Sequence, residues 1–142
     1  MSKTIEAEGQ CLCGAVSFVA KNMSTEVGAC HCSMCRQWGG GPFMEVECGS
    51  EISFTGSDSI STFNSSDWAE RGFCKQCGTH LFYRFIEANL HMVPVGLFKD
   101  DSQFVFKQQV FIEEKPDYYH FANETNNMTG EELVTQFTAN SE

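Results

Sequence analysis

The chain has 142 residues, enough for one compact domain around a single core and too few for two comfortable ones. Its formal net charge of −10, with no basic run, argues against a nucleic acid as partner, because each phosphate contact needs a Lys or Arg. Hydrophobic residues make up 42%, sufficient for a buried core, yet no apolar stretch approaches the length that spans a bilayer and residues 1–10 are too polar for a signal peptide; a cytoplasmic protein with no membrane partner is the expectation.

In chain order, residues 15–20 (AVSFVA) read as a strand that follows a cysteine-rich turn. Residues 30–38 form a tight knuckle with room for a helical turn, and Gly39-Gly40-Gly41-Pro42 breaks any helix there. Residues 43–47 alternate loosely; residues 51–55 (EISFT) alternate cleanly, with Ile52 and Phe54 on one face, and both are predicted strands. Residues 59–63 continue the series, and Asn64-Ser65-Ser66-Asp67 makes a turn. Residues 68–73 lead into a second cysteine knuckle. Residues 81–86 (LFYRFI) and 90–95 read as strands, with Pro94 pointing to an edge or a bulge. Residues 104–112 (FVFKQQVFI) are the longest β candidate. Beyond them the aromatic run through Tyr118, Tyr119 and Phe121 is expected to lie across the sheet. Thr129 and Glu132 match a capping box, which predicts a short helix through Phe137. With no repeat or linker, the expectation is a single domain over residues 1–142, mainly β with short helical segments.

Eight cysteines in a chain of this kind point to metal binding rather than disulfides. Cys11-x-Cys13 precedes the first predicted strand, and Cys74-x-x-Cys77 lies between two later ones. A turn carrying two cysteines supplies half of a tetrahedral zinc site, and two such turns complete one. Gly14 and Gly78 follow the pairs, where glycine permits the backbone to turn its N–H groups toward sulfur. Cys11, Cys13, Cys74 and Cys77 are therefore expected to hold a closed, structural zinc. With no βαβ pattern around Cys74-x-x-Cys77, a redox role is the weaker alternative.

Cys30, Cys32 and Cys35 fall within six residues and supply three ligands with no obvious fourth, the pattern of a catalytic zinc with an open position. His31 sits between two ligands and is expected to point away from the metal. Cys48 reads as a buried inert thiol and is otherwise the best protein candidate for a fourth ligand. Zinc held by three thiolates is a weak Lewis acid and suits activation of an incoming thiol better than activation of water. Arg36 and Arg71 are candidates to offset the anionic site or hold a substrate carboxylate, and Trp38, Phe43 and Trp68 are candidates for core or pocket wall.

Three stretches carry a family resemblance: Gly9-x-Cys11-x-Cys13-Gly14-Ala15-Val16, Cys30-His31-Cys32-Ser33-x-Cys35-Arg36, and Phe73-Cys74-x-x-Cys77-Gly78-Thr79-x-Leu81. On these residues, from about Glu8 to Gly96, the chain resembles the glutathione-dependent formaldehyde-activating (GFA) family, which also includes the centromere protein V domain. The resemblance implies a β-tent of small antiparallel sheets organised around zinc, a fold shared with a Rab exchange factor family and with methionine-R-sulfoxide reductases. It also implies a carbon–sulfur lyase that joins a low-molecular-weight thiol such as glutathione to a small aldehyde such as formaldehyde, giving S-(hydroxymethyl)glutathione. By position, Cys11, Cys13, Cys74 and Cys77 match the structural zinc of that family, and Cys30, Cys32 and Cys35 the catalytic one. The alternatives are a non-catalytic zinc-organised binding module and a sulfoxide reductase, for which Cys48 is the only spare nucleophile.

Overall fold

The structure, a computed structural model, describes residues 4–140, with side chains to residue 136. The chain runs β1 (Thr4–Gln10), β2 (Ser17–Ser24), β3 (Glu26–Cys30), α1 (Ser33–Gly39), β4 (Phe43–Gly49), β5 (Ile52–Thr55), β6 (Ile60–Phe63), β7 (Ala69–Cys74), β8 (His80–Phe85), β9 (Leu90–Pro94), β10 (Val105–Val110), β11 (Asn126–Met128) and α2 (Gly130–Asn140). The protein is mainly β, as the alternation predicts. One sheet has three strands in the order β1-β2-β5 and the other eight in the order β11-β10-β3-β4-β9-β8-β7-β6. Most pairings are antiparallel, but β10 runs parallel to both β3 and β11.

The core fills the space between the two sheets. Phe18, Ala20 and Met23 of β2 face Val46 and Cys48 of β4, Leu81 and Phe82 of β8, and Val93 of β9. Phe18 meets Phe98 edge-on at 5.3 Å, and Phe54 meets Phe82 at 5.5 Å, within the range where aromatic geometry adds to burial. Strand residues two apart share a face, so the register places Cys30, Phe43, Met92, Tyr83 and Arg71 together on the side away from the core. That face carries the chemistry.

Strands β1, β3 and β11 lie outside the predicted series. Many of their less exposed residues are small, as with Ala7 and Gly9 of β1 and Gly28 and Ala29 of β3, and leave little hydrophobic alternation to read. Pro94 does not mark an edge: β9 is internal, and Pro94 is its last residue, opposite Glu45 where the ladder stops. The aromatic tail packs as expected, with Phe121 edge-on to Phe106 of β10 at 4.9 Å. The capping box closes in both directions. The Thr129 N–H donates to Glu132 Oε1 at 2.9 Å and the Glu132 N–H to Thr129 Oγ1 at 3.1 Å. The helix it starts passes Phe137, whose side chain lies outside the described residues.

Gly72 of β7 pairs with Phe82 of β8, and a Cβ at Gly72 would overlap the Phe82 ring. Gly72→Ala therefore forces a buried aromatic off its seat, and we expect a loss of about 1–3 kcal/mol in chemical denaturation. Adding Phe82→Leu should make the Gly72→Ala step much milder. An unchanged midpoint in the single variant would contradict this packing.

Candidate metal centres

Seven of the eight cysteines gather into two clusters, each of which could hold a metal ion: Cys11, Cys13, Cys74 and Cys77 in one, Cys30, Cys32 and Cys35 in the other. Within each cluster the sulfurs lie within 4.8 Å of one another.

The four-cysteine cluster is built by two tight turns. In the first, the Cys11 N–H donates to Val16 O at 2.9 Å and the Gly14 N–H to Cys11 O at 3.1 Å, with Gly14 at φ +81°. In the second, the Cys74 N–H donates to Thr79 O and the Gly78 N–H to Cys74 O, with Gly78 at φ +80°. Both glycines occupy the left-handed region, as their place after each pair suggests. Backbone N–H groups then reach sulfur: Val16 N–H donates to Cys11 Sγ at 3.3 Å and Ala15 N–H to Cys13 Sγ at 3.5 Å. Thr79 ties the two turns together. Its hydroxyl oxygen accepts from the Leu12 N–H at 3.1 Å, and its proton faces Cys77 Sγ at 3.1 Å. This contact pulls the Cys77 thiol down to about 5, ready to act as a thiolate.

The sulfur spacing tests the fit to an ion. Cys11 Sγ and Cys13 Sγ are 3.7 Å apart, and Cys13 Sγ and Cys74 Sγ 3.8 Å. A disulfide needs about 2.05 Å, so these are free thiols. A tetrahedron with metal–sulfur bonds of about 2.3 Å has edges of about 3.8 Å. The donor set and its spacing thus fit a closed four-sulfur centre.

The three-cysteine cluster forms where β3 runs into α1. Cys30 ends the strand, Cys32 is the N-cap of the helix in extended conformation, and Cys35 lies three residues on and donates its N–H to Cys32 Sγ at 3.4 Å. Gly40, at φ +85°, stops the helix by returning its N–H to Arg36 O. The three sulfurs are too close to ionise independently. Hydrogen bonds from Cys30 and Cys35 draw Cys32 far below the usual thiol range, while Cys32 and Cys35 push Cys30 far above it.

His31 points away, as expected, into a fully buried position behind the cluster. Its Nε2 faces Gln109 Oε1 at 2.8 Å and its Nδ1 the Tyr119 hydroxyl at 2.8 Å. Gln109 uses its Nε2 on Thr125, so its oxygen must accept, which sets His31 Nε2 as the donor and Nδ1 as the acceptor. Burial lowers the His31 pKa, consistent with this neutral form. Arg36 turns to the same rear side, donating from Nε to His31 O at 2.9 Å, and does not reach the sulfurs.

Arg71 does reach them. It is 3% exposed, and its Nη1 and Nη2 lie 3.7 and 3.6 Å from Cys35 Sγ. The guanidinium is sandwiched 5.0 Å from the Trp38 ring and 4.9 Å from the Tyr83 ring. No carboxylate pairs with it among the described residues, and its Nε is buried without a hydrogen-bond partner. A buried guanidinium without a counter-charge is costly by several kcal/mol. The negative charge that stabilises Arg71 is therefore that of the sulfur cluster. Cys48 takes no part: it is fully buried in the core, its thiol is pushed up to about 12, first by burial, and it belongs to neither cluster.

A cavity of about 430 Å³ opens beside the three-cysteine cluster. Cys35 and Trp38 of α1, Phe43 of β4, Thr79 and His80 at the start of β8, and the segment 94–97 line it. Trp38 and Phe43 are thus pocket wall, as expected. Trp68 is neither core nor wall of this cavity: it is 55% exposed, with its indole N–H on the Tyr83 hydroxyl. His80 was not a candidate by sequence, and the signal that would have found it is the apolar pair Leu81-Phe82, which breaks strand alternation next to it.

The two clusters should differ in what they do for the fold. The first ties residues 61 apart in sequence, the second closes only a six-residue loop. Closing the longer loop is worth about 2 kcal/mol more in chain entropy, on top of ion binding. Cys74→Ser should yield unfolded or insoluble protein, while Cys32→Ser should stay folded and lose one ion per chain. Equal unfolding of the two variants, read by circular dichroism and metal analysis, would contradict the division.

Residues 6–114 match the model of the family described as glutathione-dependent formaldehyde-activating enzyme. A Schizosaccharomyces pombe protein named as an uncharacterized lyase is 38% identical over 130 residues, which cover 91% of this chain and 95% of that one. A crystal structure of a Rhodobacter sphaeroides protein shares the fold with a TM-score of 0.56 at 22% identity, over 65% of this chain and 87% of that one. No helix among the described residues is long and apolar enough to cross a membrane. The chain belongs to the glutathione-dependent formaldehyde-activating enzyme family.

Proposed function

We propose that this protein is a zinc-dependent carbon–sulfur lyase that joins a glutathione-like thiol to a small aldehyde such as formaldehyde. In this reading Cys11, Cys13, Cys74 and Cys77 hold a structural zinc, and Cys30, Cys32 and Cys35 hold the catalytic one. The observation that carries the reading is that three sulfurs converge with no fourth protein ligand in reach among the described residues, and that one of them, Cys35, lines a cavity. Family membership and the lyase-named relative support it.

A zinc ion with three thiolates would lower the pKa of a thiol placed at its fourth position. The chain's own residues supply the rest. The Arg71 guanidinium, held against Cys35 by two aromatic rings, offsets the negative charge that an added thiolate brings. The walls of the cavity are mostly apolar, which lessens the screening of that attraction. Confinement of thiol and aldehyde in one cavity converts a two-molecule encounter into an oriented one. All eight cysteines are free, which suits a reducing compartment such as the cytoplasm. Burial of Cys48 among core side chains leaves no free nucleophilic thiol for a sulfoxide reductase.

The test is spectroscopic. With cobalt in place of zinc, titration with glutathione should strengthen the sulfur-to-cobalt charge-transfer band in the wild type and not in Cys32→Ser. No change up to millimolar glutathione would refute glutathione as the thiol. A band already saturated without thiol would favour a zinc-organised binding module instead.

A further inference from the structure

Joining a thiol to an aldehyde moves one proton. The S–H bond breaks, the sulfur pair forms the C–S bond, the carbonyl π pair moves onto oxygen, and that oxygen must take the proton the sulfur lost. Residues near the open cluster are poor carriers. Tyr83 does not line the cavity, its hydroxyl takes the Trp68 indole N–H, and burial pushes its phenol up. Arg71 does not give up its proton at any working pH. Both nitrogens of His31 are committed to Gln109 and Tyr119 behind the cluster. Cys35 is itself a member of the cluster.

One titratable side chain remains among those lining the cavity: His80. Its position follows from a break in the β8 ladder. Gly72 pairs with Phe82, but the next residue, Phe73, pairs with His80, so Leu81 is an extra residue bulged out of register. Leu81 and Phe82 are consecutive, yet both are buried in the core. The alternation slips by one, and His80 emerges on the cavity side with Arg71 and Tyr83 instead of entering the core. Its ring lies flat on Trp38, with centroids 3.8 Å apart and planes 6° from parallel, which fixes its plane.

We propose that His80 is a catalytic residue, taking the proton from the thiol and delivering it to the aldehyde oxygen within the cavity beside Cys35. This rests on the thiol–aldehyde reading above. No described residue hydrogen-bonds either ring nitrogen, and neither is a buried atom left without a partner, so the ring is free to take and give a proton. The surroundings keep the ring neutral and able to accept: burial first, then the Arg71 charge, lower its pKa from 6.5. The groups around it are few. Helix α1 presents Trp38 and Cys35, and strand β7 presents Arg71 and Phe73. From β4, Phe43 and Met44 line the cavity, while Glu45 and Glu47 share the face of Phe43 without lining it, their carboxyls pushed up by desolvation, Glu45 to about 8. Residues 94–97 carry no titratable side chain.

The experiment compares the wild type with His80→Phe, which keeps a flat ring against Trp38, and His80→Gln. The rate of exchange of formaldehyde between solution and its glutathione adduct, followed by exchange NMR, should fall by about 10²-fold in kcat. The decline of wild-type activity at acid pH, where His80 becomes charged, should disappear. Imidazole in solution should restore part of the rate to His80→Phe. The glutathione-dependent cobalt band should keep its size in both variants, since thiol binding does not need the proton carrier. Wild-type turnover with its acid decline intact in His80→Phe, or a loss confined to KM, would overturn the role of His80 alone. Absence of both the band and turnover in the wild type would overturn the thiol–aldehyde reading together with it.

Discussion

The structure depends on bringing four sulfurs from two distant turns to within bonding distance of one point. Thiolates at 3.7–3.8 Å repel one another in this part-buried setting unless a cation lies among them. What makes the convergence possible is local backbone: a left-handed glycine after each cysteine pair, and Thr79 bridging from Cys77 to the backbone of the other turn. The first turn leads into β2 of the small sheet, and the second joins β7 to β8 of the large one. The cluster therefore pins one sheet onto the other at the point where the core, with Cys11 and Cys74 inside it, begins.

The second cluster depends on the first without sharing atoms with it. The turn that ends in Cys77 and Thr79 also starts β8, and β8 delivers His80 to the cavity and Tyr83 to the stack around Arg71. The opposite wall comes from α1, whose short length is set by Cys32 at its start and Gly40 at its end. Behind α1, the network of His31 with Gln109 and Tyr119, and the Glu114 carboxylate accepting from the Ser33 N–H at 3.0 Å, hold the cysteine loop against β10 and the following segment. The loop is thus braced on the side away from the cavity, which leaves the sulfur face open.

The two cysteine clusters were legible because cysteine spacing encodes a turn directly: two sulfurs one or two residues apart can meet one ion in very few conformations. The strands with large alternating residues, such as 52–55 and 105–110, were legible for the same kind of reason. What was not legible depends on pairing between distant segments. Strand β3 is short and rich in small residues, and its place beside β10 follows from a parallel pairing that sequence alternation does not reveal. Both Arg36 and Arg71 were candidates by sequence; Arg36 directly follows Cys35 in the chain, but it was the β7–β8 register that set Arg71 beside Tyr83 and under Trp38. His80 was hidden by the bulge at Leu81, because strict alternation would have sent it into the core.

The central claim is that one centre is closed by four sulfurs and the other left open by three. Metal analysis combined with X-ray absorption at the zinc edge, on protein purified from zinc-supplemented cells, measures this directly. Two ions per chain sharing the seven clustered sulfurs, with a light atom completing the mean coordination, is the expected result. A single ion per chain, or two ions each bound by four sulfurs, would contradict it.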